Sequence, residues 1–180
     1  MGAFVNGAKK LSWILERQRL ASNGSFLERR VFDLNILAIY LVKGHPGFDC
    51  ISPLVEEVLK GSYIPLIMDF LPMRAYWIMT QRWNLPLKDC TASIEYFLKT
   101  YNMPHYPSLS RETILEGFRL AKDLKHDVFD CIYLALALQE KAAAIVTTDT
   151  DFEKLCSQVG LEYINPVPRE VLKHFKEQNK

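Results

Sequence analysis

Residues 127–152 read DVFDCIYLALALQEKAAAIVTTDTDF, and they constrain the fold more than any other stretch because acids stand at the ends of two apolar elements. Segment 131–143 contains neither Gly nor Pro and is rich in Ala and Leu. That composition predicts a buried helix with Asp130 in its first turn and Asp127 as its cap. Segment 142–148 follows, an apolar run through Ile145, Val146, Thr147 and Thr148 that predicts a buried parallel strand ending at Asp149 and Asp151. The acids then sit at the strand's carboxyl edge, where open α/β sheets bind their ligands, and a carboxylate cluster is expected there.

A matching signal lies about a hundred residues upstream. Segment 29–42, RRVFDLNILAIYLV, is an apolar strand broken by Asp33-Leu34-Asn35. Burying an unpaired carboxylate is costly, so Asp33 should face a cation, a hydrogen-bond donor or a metal. Taken together, these segments resemble the PIN-domain nucleases, of the VapC-like and archaeal kind. That family carries Asp-x-Asn or Asp-x-Ser on its first strand and two further acids on a late helix–strand pair. Here the matching positions are Asp33-Leu34-Asn35, Phe129-Asp130 and Thr147-Thr148-Asp149-Thr150-Asp151-Phe152.

The resemblance covers roughly residues 31–166. It implies a three-layer α/β/α fold with a central parallel sheet and helices on both faces. It also implies a metal-dependent ribonuclease, a hydrolase acting on single-stranded or structured RNA, as the toxin of a toxin–antitoxin pair or as an RNA-processing enzyme. Asp33, Asp130 and Asp149 would be the catalytic and metal-holding acids. Asn35 and Thr147 would support them by hydrogen bonds, and Asp151 from further out. Mg²⁺ or Mn²⁺ suits an all-oxygen site. RNA is the implied substrate and an antitoxin or other protein the implied partner; a homodimer is a further expectation, since the domain or a twofold mate must cover Leu11, Ile14 and Leu15 of the leader.

One position departs from the family pattern. The Glu that the family places on the helix after strand two falls here on Arg74, while Tyr76, Arg82 and Pro86 keep step. A permanent cation at an acid cluster should pair with Asp33 or Asp130 and weaken metal binding, or hold a substrate phosphate. Asp69, Glu56 and Glu57 are substitutes for the lost acid, with a helix cap and a solvated face as their plainer roles. Arg74 also keeps open a second function, a degenerate PIN domain that binds RNA or protein without cleaving. Tyr76, Trp77 and Trp83 suit either base stacking or the core.

At 180 residues the chain is long enough for one domain with a sizeable core. Its 49% hydrophobic and 24% charged residues exclude disorder and membrane insertion, and no apolar run approaches the ~18 residues of a membrane span. A cytoplasmic protein is expected. Net charge is +1, but residues 1–30 hold six basic and two acidic side chains, a basic edge beside an acidic site. Cys50, Cys90, Cys131 and Cys156 show no zinc spacing and read as reduced thiols. The four His read as surface or capping residues.

The expected organisation is an accessory helix and linker over 1–30, the PIN-like domain over 31–166, and a terminal helix over 167–180. In the leader, Leu11, Ile14 and Leu15 share one face of a helix over 8–20. Within the domain, helices are expected over 35–42, over 52–60 with Ser52 as cap, from Asp69 as cap through 83, over 88–100, and over 111–124 with Ser110 as cap. Strands are expected over 62–68 and 162–167, with a short edge strand within 101–109.

Overall fold

The computed structural model describes residues 27–175. The leader helix expected over 8–20 lies outside the described residues.

The elements in chain order are β1 (Arg29–Phe32), α1 (Leu34–Tyr40), α2 (Phe48–Leu59), β2 (Ile64–Leu66), α3 (Leu71–Trp77) and a π-helical turn (Ile78–Arg82). There follow α4 (Leu87–Thr100), α5 (Arg111–Leu124), α6 (Val128–Gln139), β3 (Ala144–Val146), α7 (Asp151–Val159), β4 (Glu162–Ile164) and α8 (Arg169–Phe175). The four strands form one parallel sheet in the order β2-β1-β3-β4. Right-handed crossovers put the β1-to-β2 helices on one face and the helices leading into and out of β3 on the other, because the strand order advances in opposite directions from β1. This is the three-layer α/β/α arrangement expected from the sequence.

Burial explains why the central strands are apolar. All three residues of β3 are buried, and Val31, Phe32, Leu66, Ile145 and Val146 carry the core between the helix layers. Helix α6 packs on β1 and β3 and is itself covered by α5. Gly117 permits that approach, since a Cβ there would stand 2.5 Å from Ile132 Cδ1. No helix among the described residues is long and apolar enough to cross a membrane.

Several local expectations change. Helix α2 begins at Phe48 with Gly47 as its cap, so Pro53 lies inside the helix and Ser52 caps nothing. Proline's fixed φ is already helical, and its missing N–H forfeits one bond near the start of a long helix. Asp69 does not cap α3, which starts from Phe70. Its N–H bonds instead to Pro107 O, and its carboxylate accepts from Ser108 Oγ at 2.6 Å. The expected edge strand is reduced to one parallel bridge, His105 with Leu66. Ser110 and Asp127 cap α5 and α6 as expected, accepting from Thr113 N and Phe129 N.

The long helix expected through residue 83 divides at Ile78 into α3 and the π-helical turn. Trp83 N bonds to Ile78 O, a span of five residues, and Thr80 Oγ1 donates at 2.8 Å to Tyr76 O in the last turn of α3. Asn84 then takes a left-handed conformation (φ 50°) that ends the element before Pro86.

Candidate active site

In a parallel sheet of order β2-β1-β3-β4 the connections leave β1 in one direction and β3 in the other. The crevice at the carboxyl ends of β1 and β3 is therefore the switch point where such sheets bind ligands. Asp33 follows β1 directly, and Asp149 lies three residues beyond β3. The Asp33 N–H donates to Val146 O at 3.0 Å, continuing the ladder to that edge.

Asp33 is 6% exposed and caps α1. Its Oδ1 accepts from Leu34 N at 2.6 Å. Its Oδ2 accepts from Asn35 Nδ2 at 3.1 Å and Thr147 Oγ1 at 2.7 Å. Burial pushes this carboxyl above the usual range. Bonds from Thr147, Tyr133 and Leu34 oppose the rise, and the negative charge of Asp149 adds to it.

Thr147 is fully buried and works in two directions, donating to Asp33 and accepting from Asp149 N at 3.0 Å. Asp149 Oδ1 in turn accepts from Asp151 N at 2.9 Å and so shapes the entry into α7. The Asp151 side chain itself is exposed.

Asp130 stands in the first turn of α6, half-buried, with its Oδ2 at 2.9 Å from His126 Nε2. Burial raises its carboxyl, the His126 bond opposes this, and the Asp149 charge raises it further. Asp149 thus acts electrostatically on both Asp33 and Asp130, which associates the three acids with one edge. Among the described residues, no group of three or more His, Cys, Asp or Glu side chains is arranged to hold a metal ion. The donors nevertheless fit a hard divalent cation in kind: all are carboxylate oxygens, and two of the carboxyls are raised by burial and like charge that a cation would relieve.

Arg74 does not join this group. It is exposed on α3, its guanidinium carbon is 4.9 Å from the centroid of the Trp77 ring, and it forms no ion pair with Asp33, Asp130 or Asp149. The buried face of α3 is occupied by Leu71, Pro72 and Ala75, which leaves Arg74 on the solvent side. The expected pairing is therefore absent. Asp69 is engaged by Ser108, and Glu56 and Glu57 are exposed on α2. Tyr76 and Trp83 are half-buried against the core, and Trp77 remains substantially open.

Two neighbours escaped the sequence reading. His126, expected to be a surface or capping residue, is a partner of Asp130; the signal was its spacing of four residues. Tyr133 is one turn beyond Asp130, buried, with its hydroxyl accepting from Leu34 N at 3.2 Å. Burial and the Asp33 charge hold its phenol well above its ordinary value. The four cysteines are free thiols, as expected.

A family model for the PIN domain matches residues 95–157, a span that holds Asp130, Thr147, Asp149 and Asp151. No curated protein sequence matches the chain. Among solved structures, a chain of VapBC2 from Rickettsia felis, determined bound to a DNA fragment from its promoter, superposes with a TM-score of 0.57 at 16% identity. That match covers 76% of this chain and 98% of the other. VapC20 of Mycobacterium tuberculosis, described as a sarcin-ricin loop cleaving toxin, superposes with a TM-score of 0.56 at 8% identity, covering 70% of this chain and 94% of the other. At these identities the likeness is one of fold, and it agrees with the sheet order and with the family match in the carboxyl-terminal half. The family match over residues 95–157 and the likeness of fold both point to a resemblance to the PIN-domain family.

Proposed function

We propose that this protein is a metal-dependent endoribonuclease, toxin-like or RNA-processing, that hydrolyses phosphodiester bonds in single-stranded or structured RNA. The observation that carries the reading is that Thr147 ties the Asp33 carboxylate to the Asp149 backbone at the switch-point crevice. Asp33, Asp130 and Asp149 would hold Mg²⁺ or Mn²⁺. Such an ion, when bound, supplies an activated water and polarises the scissile phosphate.

The chain's own residues prepare that chemistry. Asn35 and Thr147 fix the Asp33 carboxylate by hydrogen bonds, so its orientation is set before any ligand arrives. His126 fixes Asp130 in the same way. Thr147 also holds the Asp149 backbone, and Asp149 shapes the turn that brings in Asp151. A protein partner of antitoxin type accompanies this reading, supported by the fold shared with a chain of VapBC2.

A second reading, a PIN domain that binds RNA or protein without cleaving, is favoured by one observation: no preassembled set of metal ligands exists among the described residues. Cleavage assays on single-stranded and hairpin RNA, the sarcin-ricin loop included, separate the two. Cleavage in Mn²⁺ that stops in EDTA and falls at least about a hundredfold in Asp130→Asn supports the nuclease. Stable binding with no cleavage of any of these RNAs supports the second reading.

A further inference from the structure

Trp77 ends α3 with 40% of its surface exposed. The guanidinium carbons of Arg74 and Arg82 stand 4.9 Å and 5.6 Å from the centroid of its ring. In a continuous α-helix, residues 77 and 82 would point well apart, because five residues overshoot one turn by more than a third. The π-helical turn Ile78–Arg82 widens the helix so that a five-residue step closes a turn, and this carries Arg82 back beside Trp77. The Thr80 hydroxyl within that turn bonds back to Tyr76 O of α3.

Neither arginine is neutralised. Arg29, Arg30, Arg111 and Arg119 each pair with a carboxylate, whereas Arg74 and Arg82 form no ion pair among the described residues. Both side chains are exposed. Glu95, on the neighbouring helix α4, is held by Lys99. Two guanidiniums with no carboxylate partner, lying over a partly exposed indole, combine the groups that contact unpaired nucleotides: a cation for phosphate and a ring face, freed as the cation swings to phosphate, for a base.

The position suits the site. Helix α3 starts beyond the carboxyl end of β2 and packs on α1, whose cap is Asp33. Arg74 lies in the last turn of α3, and Arg82 ends the π-helical turn that follows. The three side chains therefore meet at the Trp77 ring on a helix that packs against the helix Asp33 caps.

We infer that Arg74, Trp77 and Arg82 form a contact surface for single-stranded RNA, the two guanidiniums taking phosphates and the indole taking a base. The polymer class rests on the proposed nuclease reading; the surface itself rests on exposure, charge and the π-helical turn.

The test is anisotropy of a fluorescent oligouridylate with the full chain in EDTA, where metal-dependent cleavage is silent, repeated over a salt series. Trp77→Ala should weaken binding by about five- to a hundredfold, and Trp77→Phe, which keeps an aromatic face, should recover most of the loss. Arg82→Ala should lower the slope of log affinity against log salt by about 0.7, one phosphate contact on a single strand, with Arg82→Lys retaining the slope. Thermal denaturation of each variant reports that the fold is kept.

Unchanged affinity in both alanine variants, failure of wild type to bind the oligouridylate, or a loss that Trp77→Phe does not recover in a folded protein would each overturn the inference. A wild type that binds through Trp77 but cleaves nothing in Mn²⁺ refutes the nuclease and leaves this surface standing. A wild type that cleaves while both alanine variants bind normally does the reverse.

Discussion

The buried Thr147 hydroxyl donates to Asp33 Oδ2 at 2.7 Å and so joins the carboxyl ends of β1 and β3 across 114 residues of chain. The same oxygen accepts from Asp149 N. Thr147→Val keeps the shape and removes both bonds, leaving buried polar groups short of a partner. A loss of about 1–3 kcal/mol is expected, with the thermal midpoint falling about 2–4 °C per kcal/mol. Thr147→Ser should restore most of it. Urea denaturation of the three proteins checks this, and equal stability of Thr147→Val and wild type would show that the bond contributes nothing.

The Asp33 carboxyl is raised above its ordinary value of 3.8, chiefly by burial, so the fold favours its neutral form. The sign follows: that preference is a full stabilising contribution below 3.8 and is lost as pH rises through the folded value. At pH near 7, in EDTA, the native state carries a disfavoured charge that Asp33→Asn does not, while an asparagine oxygen can still accept from Thr147. Asp33→Asn is therefore expected to be at least as stable as wild type near neutrality, with its relative advantage shrinking toward acid. Denaturation midpoints across pH measure it. A variant less stable at neutrality than in acid, relative to wild type, contradicts the account.

His45 gives the opposite slope. Burial lowers its pKa from 6.5 to about 4, and its Nδ1 accepts from Gly47 N at 3.1 Å, a role only an unprotonated nitrogen can fill. Its ring lies 4.8 Å from that of Trp83 and 4.7 Å from that of Phe175. The unfolded chain binds a proton at 6.5 that the folded chain refuses until about 4, so stability is lost as pH falls across that window. Half-burial moderates the effect to about 1–2 kcal/mol. His45→Gln should flatten this part of the pH–stability curve, and an unchanged slope would exclude His45 as its source.

The support of Asp33 by Asn35 and Thr147 was legible because a carboxylate after a short apolar strand has few places to go. Asp33, Asn35 and Thr147 lie at the strand ends that the hydrophobic pattern marks, and their hydrogen bonds follow from that placement. Arg74 was legible as a departure but not as a location. Register along a helix assigns a position, while the face it presents depends on how Leu71 and Ala75 seat that helix on the core. The π-helical turn was hidden for a related reason, since Ile78–Arg82 contains no Gly or Pro and carries no periodic mark of a widened turn. The start of α2 at Phe48 was missed because Ser52-Pro53 imitates a helix beginning that the upstream Gly47 supplies first.

Calorimetric titration of Mn²⁺ into wild type, Asp33→Asn, Asp130→Asn and Asp149→Asn tests the central claim most directly, because it reads the acids together and does not depend on knowing the RNA. The account predicts saturable binding by wild type and a loss of at least about tenfold in affinity in each of the three folded variants. Saturable binding that survives unchanged in any two of them would contradict it.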